Sequence, residues 1–105
     1  MVIKNFMKSI CDIFWTPNAL KELEQTIEYL EGNFPEKEIK KLAEKIELTI
    51  ELISKNPNLF PKSENKKIHK AVLLKYNSMY YRVKNESIEI LSFFSNRQSP
   101  SKKKF

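Results

Sequence analysis

Apolar residues follow two rhythms along this chain. Between Ala19 and Ile53 they recur every three or four positions, and beyond Ile68 they recur mostly every second position. Ala19, Leu20, Leu23, Ile27, Leu30 and Phe34 form one stripe, with Lys21, Glu22, Glu24, Glu28 and Glu31 mostly outside it. That spacing predicts an amphipathic helix. Thr16-Pro17 supplies its start: threonine caps orphan backbone N–H groups, and proline suits the first helical position, where its missing donor had no partner. Gly32-Asn33 is expected to break this helix and Pro35 to open a second. There Ile39, Leu42, Ile46, Ile50 and Ile53 repeat the spacing, and the Asn56-Pro57-Asn58 and Phe60-Pro61 cluster ends it. The two read as an antiparallel helical hairpin.

The remainder reads as strands. Ile10 to Trp15 is a short apolar run. In residues 67–76, Ile68, Val72, Leu74 and Tyr76 share one parity, and Lys67, His69 and Lys75 the other. Met79, Tyr81 and Val83 alternate with Ser78, Tyr80 and Arg82. After a tight turn at Asn85-Glu86-Ser87, Ile88 to Phe94 is apolar on both parities and is expected to be a central strand. The fold class is therefore α+β: strand, helix, helix, then a three-stranded antiparallel meander, with the hairpin on one face of the sheet. We expect one domain over residues 10–98, an N-terminal extension at 1–9 and a basic tail at 99–105. Met7 is as good a start as Met1.

Charge changes the picture. Residues 1–54 hold 7 Lys/Arg against 10 Asp/Glu, and residues 55–105 hold 12 against 3, so the halves carry −3 and +9 within a total of +6. A basic sheet half with tyrosines calls for an anionic or acidic partner. The 105 residues hold one glycine, so turns rely on Asn, Ser and Pro. Cys11 is the single cysteine and His69 the single histidine, which leaves no disulfide framework and no Cys/His metal set. That usage fits a reducing cytoplasm. No apolar run reaches the roughly 18 residues of a spanning helix, and the N-terminus lacks a signal-peptide pattern, so no membrane role is expected.

If Ile68, Val72, Met79, Tyr81 and Val83 face the helices, the other face presents Lys67, His69, Lys75, Tyr80 and Arg82, with Arg97 just past the last strand. Cations suit phosphates and a tyrosine stacks on bases. The same residues equally make the solvated side of an antiparallel sheet. His69 titrates nearest neutrality and is the general acid/base candidate, or else a structural histidine. Cys11 and Trp15 read as core. Glycine phosphate loops, zinc spacings and nucleophile elbows are missing from the sequence, and no cofactor or metal is expected.

The ordered set of motifs resembles the RelE/ParE superfamily of bacterial toxins. It comprises Trp15-Thr16-Pro17-Asn18-Ala19, Lys55-Asn56-Pro57-Asn58-Leu59-Phe60-Pro61, Met79-Tyr80-Tyr81-Arg82-Val83, Ile88-Glu89-Ile90-Leu91 and Asn96-Arg97-Gln98-Ser99-Pro100. The resemblance covers residues 10–100. It implies the toxin of a type II toxin–antitoxin pair, cytoplasmic and neutralised by an acidic antitoxin. RelE-like members cleave mRNA on the ribosome with Lys, Arg and usually Tyr side chains; ParE-like members poison DNA gyrase and lack that set. The RelE-like strand arginine would fall near Ser78, and the C-terminal tyrosine in the Lys102–Lys104 tail, which has none. These departures favour the ParE-like branch. On that branch Lys67, Lys70, Lys75, Tyr80, Arg82 and Arg97 are the expected target- or nucleic-acid-binding residues. In the alternative, a ribosome-dependent endoribonuclease, His69, Arg82 and Arg97 would be catalytic.

Overall fold

The computed structural model describes residues 12–64 and 67–95. The expectations for residues 1–9, Cys11, Arg97 and the basic tail lie outside the described residues. Strand β1 (Asp12–Trp15) leads into helices α1 (Pro17–Asn33) and α2 (Glu36–Lys55), followed by β2 (His69–Val72), β3 (Asn77–Lys84) and β4 (Ser87–Ser95). The sheet order is β1-β4-β3-β2. Strand β1 runs parallel to β4, with Ile13 opposite Ile88 and Trp15 opposite Ile90, while β3 is antiparallel to both β4 and β2. The two helices pack on one face, so the architecture is the α+β layer read from the sequence, with the apolar run of β4 in the sheet interior.

Each helix starts where its sequence says. The Thr16 side chain accepts a hydrogen bond from the Ala19 N–H at 3.2 Å with Pro17 in the first turn, a cap worth about 1 kcal/mol. Pro35 precedes α2 in extended conformation. Gly32-Asn33 does not break α1; the helix runs through Asn33 and ends at Phe34, whose N–H bonds to the Leu30 carbonyl at 2.8 Å. The backbone at Phe34 turns extended because Pro35 follows and disfavours helical geometry before it. The core joins Ala19, Leu30, Leu42, Ile46 and Ile53 of the helices to Ala71, Met79, Tyr81, Ile88, Ile90 and Phe93 of the sheet, with Trp15 packed partly against it.

Strand β2 corrects the sequence reading twice. It is four residues long, because residues 73–76 form the turn closed by the Leu73 N–H on the Asn77 carbonyl at 2.8 Å. Its facing is also reversed: His69 and Ala71 are buried, while Lys70 and Val72 are exposed. Leu74 and Tyr76, which suggested the opposite parity, belong to the turn and do not share the pleat. In β4 the double-sided apolar run has a local cause as well. Tyr80 pairs with Ser92 and Tyr81 with Ile90, leaving Leu91 unopposed as a bulge, and a bulge shifts the alternation by one residue.

Candidate functional site on the outer face of the sheet

The face turned away from the helices is assembled by register. Phe14 of β1 sits beside Glu89 of β4, which pairs with Arg82 of β3. Lys70 of β2 pairs with Tyr80, and Val72 pairs with Ser78, which in turn faces Phe94. Of the residues singled out from sequence, Lys70, Tyr80 and Arg82 therefore meet on one surface. Phe14 at 55% exposure and Val72 at 56% put apolar ground at its two ends. Tyr80 is buried in the middle, and its hydroxyl pKa is raised by that burial, with the Lys70 charge pulling the other way.

Arg82 is not a free cation. Its Nε lies 2.7 Å from Glu89 Oε1. The turn is the two residues Asn85-Glu86, not the three expected from sequence, so Ser87 joins β4 opposite Lys84 and Arg82 stands opposite Glu89. Phe14 and Val72 carried no sequence signal, since their exposure depends on which face the helices take.

Other candidates lie elsewhere. Lys67 is exposed just before β2 with a left-handed backbone (φ 56°), and Lys75 belongs to the β2–β3 turn, its Nζ 5.6 Å from the Tyr76 ring centroid. His69, the acid/base candidate, is on the core side and 3% exposed. Its ring stacks on Tyr81 with centroids 4.7 Å apart and planes 7° from parallel. Its Nδ1 lies 2.8 Å from the Phe60 carbonyl; a carbonyl only accepts, so Nδ1 carries the proton. The Tyr81 hydroxyl donates to the Pro57 carbonyl at 2.9 Å. Burial pushes its pKa up to about 12 against the lowering effect of a hydrogen bond with the Phe60 backbone. His69 and Tyr81 thus tether the loop after α2, and that loop in turn covers the edge of β2 through the Lys70 N–H on the Pro61 carbonyl at 3.1 Å.

A second polar cluster was not foreseen. Thr16 Oγ1 donates to the Ile90 carbonyl at 2.8 Å and Asn18 Nδ2 to the Leu91 carbonyl at 3.0 Å. Glu22 Oε1 accepts from Ser92 Oγ at 2.7 Å and the Phe93 N–H at 2.9 Å. These side chains take up β4 backbone groups at and beyond Ile90, where the pairing with β1 ends. Among the described residues no three His, Cys, Asp or Glu side chains come together as metal ligands, and no helix is long and apolar enough to cross a membrane.

Comparison with known proteins agrees with this geometry. Residues 13–100 match the family model described as the ParE toxin of type II toxin–antitoxin systems, parDE. A chain of the solved chromosomal ParDE TA system from P. aeruginosa superimposes with a TM-score of 0.64 at 23% identity, covering 84% of this chain and 98% of its own. At that identity the likeness is one of fold. No curated protein matches.

Proposed function

Since the chain belongs to the ParE toxin family of type II toxin–antitoxin systems, we propose that it is a binding toxin that poisons DNA gyrase and is not itself a catalyst. The outer face of the sheet is its target surface, and a cognate acidic antitoxin neutralises it in the cytoplasm. The observation that carries this reading is the charge left on that face. Lys70 and, at the hairpin end, Lys84 are cations there, but Arg82 is ion-paired with Glu89, and Phe14 and Val72 make the ends apolar. A nucleic-acid surface typically neutralises some 6–10 phosphates, and a carboxylate in its midst repels them. Apolar ground with few charges suits a protein target instead.

Catalysis of mRNA cleavage would also need a group to activate the 2′-hydroxyl and cations around the developing phosphorane charge. His69 lies under Tyr81 with Nδ1 committed to a loop carbonyl, on the opposite side of the sheet from Lys70 and Arg82. Losing one such stabilising donor costs about 3–4 kcal/mol in the transition state. The antitoxin reading draws on the +9 of residues 55–105, which an acidic segment complements.

Two reactions test the proposal together. Purified chain added to gyrase is expected to stop supercoiling and to accumulate cleaved DNA, while a reporter mRNA in a cell-free translation reaction stays intact. Unaffected gyrase with ribosome-dependent cuts mapped by primer extension would overturn it.

A further inference from the structure

A cleft of about 220 Å³ opens where the end of α1 and the first turns of α2 meet the β2–β3 turn. It is on the helix side of the molecule, away from the outer sheet face. Leu30 and Leu42, 4% and 2% exposed, and half-buried Leu74 line it with apolar surface. Clefts that bury whole small ligands run to roughly 300–1,000 Å³, so this one has room for a side chain and not for a nucleotide or cofactor.

Its polar features fix which side chain. Asn77, 7% exposed, forms part of the wall, and its Oδ1 has no hydrogen-bond partner among the described residues. A buried acceptor without a donor is costly, and the terminal torsion of an asparagine is soft. A turn of that amide meets a donor brought into the cleft. Tryptophan offers a flat apolar body with one N–H donor and no acceptor, and it is a frequent interface anchor. The rim selects the company of that anchor. Lys75 stands over Tyr76 on one side, and Lys41 on the other lies 3.8 Å from Glu38. Two lysines against one carboxylate leave the rim positive, which favours flanking Asp or Glu and disfavours this chain's own basic tail at 99–105.

We propose that this cleft is the anchor pocket for a tryptophan within an acidic segment of the partner protein. That the partner is the antitoxin rests on the functional reading above; the chemistry of the pocket does not. The probe is a short synthetic peptide, Glu-Asp-Trp-Asp-Glu, titrated into the isotope-labelled full chain and followed by NMR. Saturable shifts are expected at the amides of residues 41–42 and 74–77. A phenylalanine-centred peptide, which lacks the donor, should bind about tenfold more weakly, and Asn77→Leu should erase that preference. Lys75→Glu, an exposed change that spares the core, should weaken the acidic peptide several-fold. No saturable shift at these amides, equal binding of the two peptides to the unaltered chain, or indifference to Lys75→Glu would each overturn the pocket. The partner is tested separately by copurifying the protein encoded next to this one with the unaltered chain and with Lys75→Glu. Weaker capture by the variant supports the assignment, and equal capture overturns it. If even the unaltered chain captures nothing, the antitoxin assignment falls while the peptide titration still decides the pocket.

Discussion

At the scale of single residues, His69 and Tyr81 show how a titratable side chain in a toxin-like sheet acts as a fastener. Each donates a hydrogen bond to a carbonyl of the same loop, Phe60 for the imidazole and Pro57 for the phenol. His69→Ala removes a buried ring and a hydrogen bond and should cost about 2–4 kcal/mol, a large share of the 5–15 kcal/mol typical of a domain. His69→Asn, which keeps a donor near Nδ1, should cost less. Urea unfolding midpoints measure both, and toxicity per folded molecule should stay unchanged in each. A folded but harmless His69→Asn chain would count against the non-catalytic reading. Tyr81 adds a pH dependence. Its pKa is about 12 folded and about 10 unfolded, so the folded state holds the proton more tightly. Its contribution is complete below pH ~10 and is lost as pH rises towards ~12, by about 2–3 kcal/mol in all. Unfolding curves across that window should fall less steeply for Tyr81→Phe than for the unaltered chain.

At the scale of elements, the start of α1 and the bulge of β4 form one joint. Strand β1 stops opposite Ile90, next to the Leu91 bulge, and Thr16, Asn18 and Glu22 take up the β4 backbone groups at and beyond that point. The Trp15–Ala19 motif is thus a docking device as well as a helix cap. Glu22→Ala leaves the Phe93 N–H and the Ser92 hydroxyl without their acceptor and should destabilise by about 2–3 kcal/mol; Glu22→Gln, which keeps a carbonyl oxygen, should lose about half as much. Thermal melts compare them, and a neutral Glu22→Ala would dissolve the joint. Gly32 is the opposite case. It lies inside α1 with nothing within 4 Å of the position a Cβ would take. Gly32→Ala should therefore raise stability by about 0.5–1 kcal/mol, read as a higher denaturation midpoint at unchanged slope.

At the scale of the whole molecule, the charge split follows the layers. Both helices, apart from Lys55 at the end of α2, belong to the acidic half of the sequence, and β2, β3 and β4 to the basic half. The proposed target surface and the proposed anchor pocket lie on different exposed sides. Toxicity should depend on the outer face and partner capture on the cleft side. Lys70→Glu with Val72→Asp alters two exposed positions, so it should leave the melting temperature within about a degree or two while weakening gyrase inhibition at least tenfold. A supercoiling assay unchanged by the pair would move the target surface elsewhere.

The sequence by itself determined the helices, their starts, the number of strands and the family, because these rest on interactions within a few residues or on motifs read in order. A 3.6-residue stripe and the Thr16-Pro17 start need no tertiary partner to be recognised. The Arg82–Glu89 pair did not follow from the sequence, because Ser87 reads as part of the turn and belongs to β4. The facing of β2 did not either, because Leu74 and Tyr76 carry the strand rhythm into a turn where the pleat no longer holds. The Leu91 bulge, the tethering role of His69 and the exposure of Phe14 and Val72 were likewise settled by tertiary structure. Each depends on which distant backbone groups need a partner and on which side the helices cover, and alternation along one strand is silent on both.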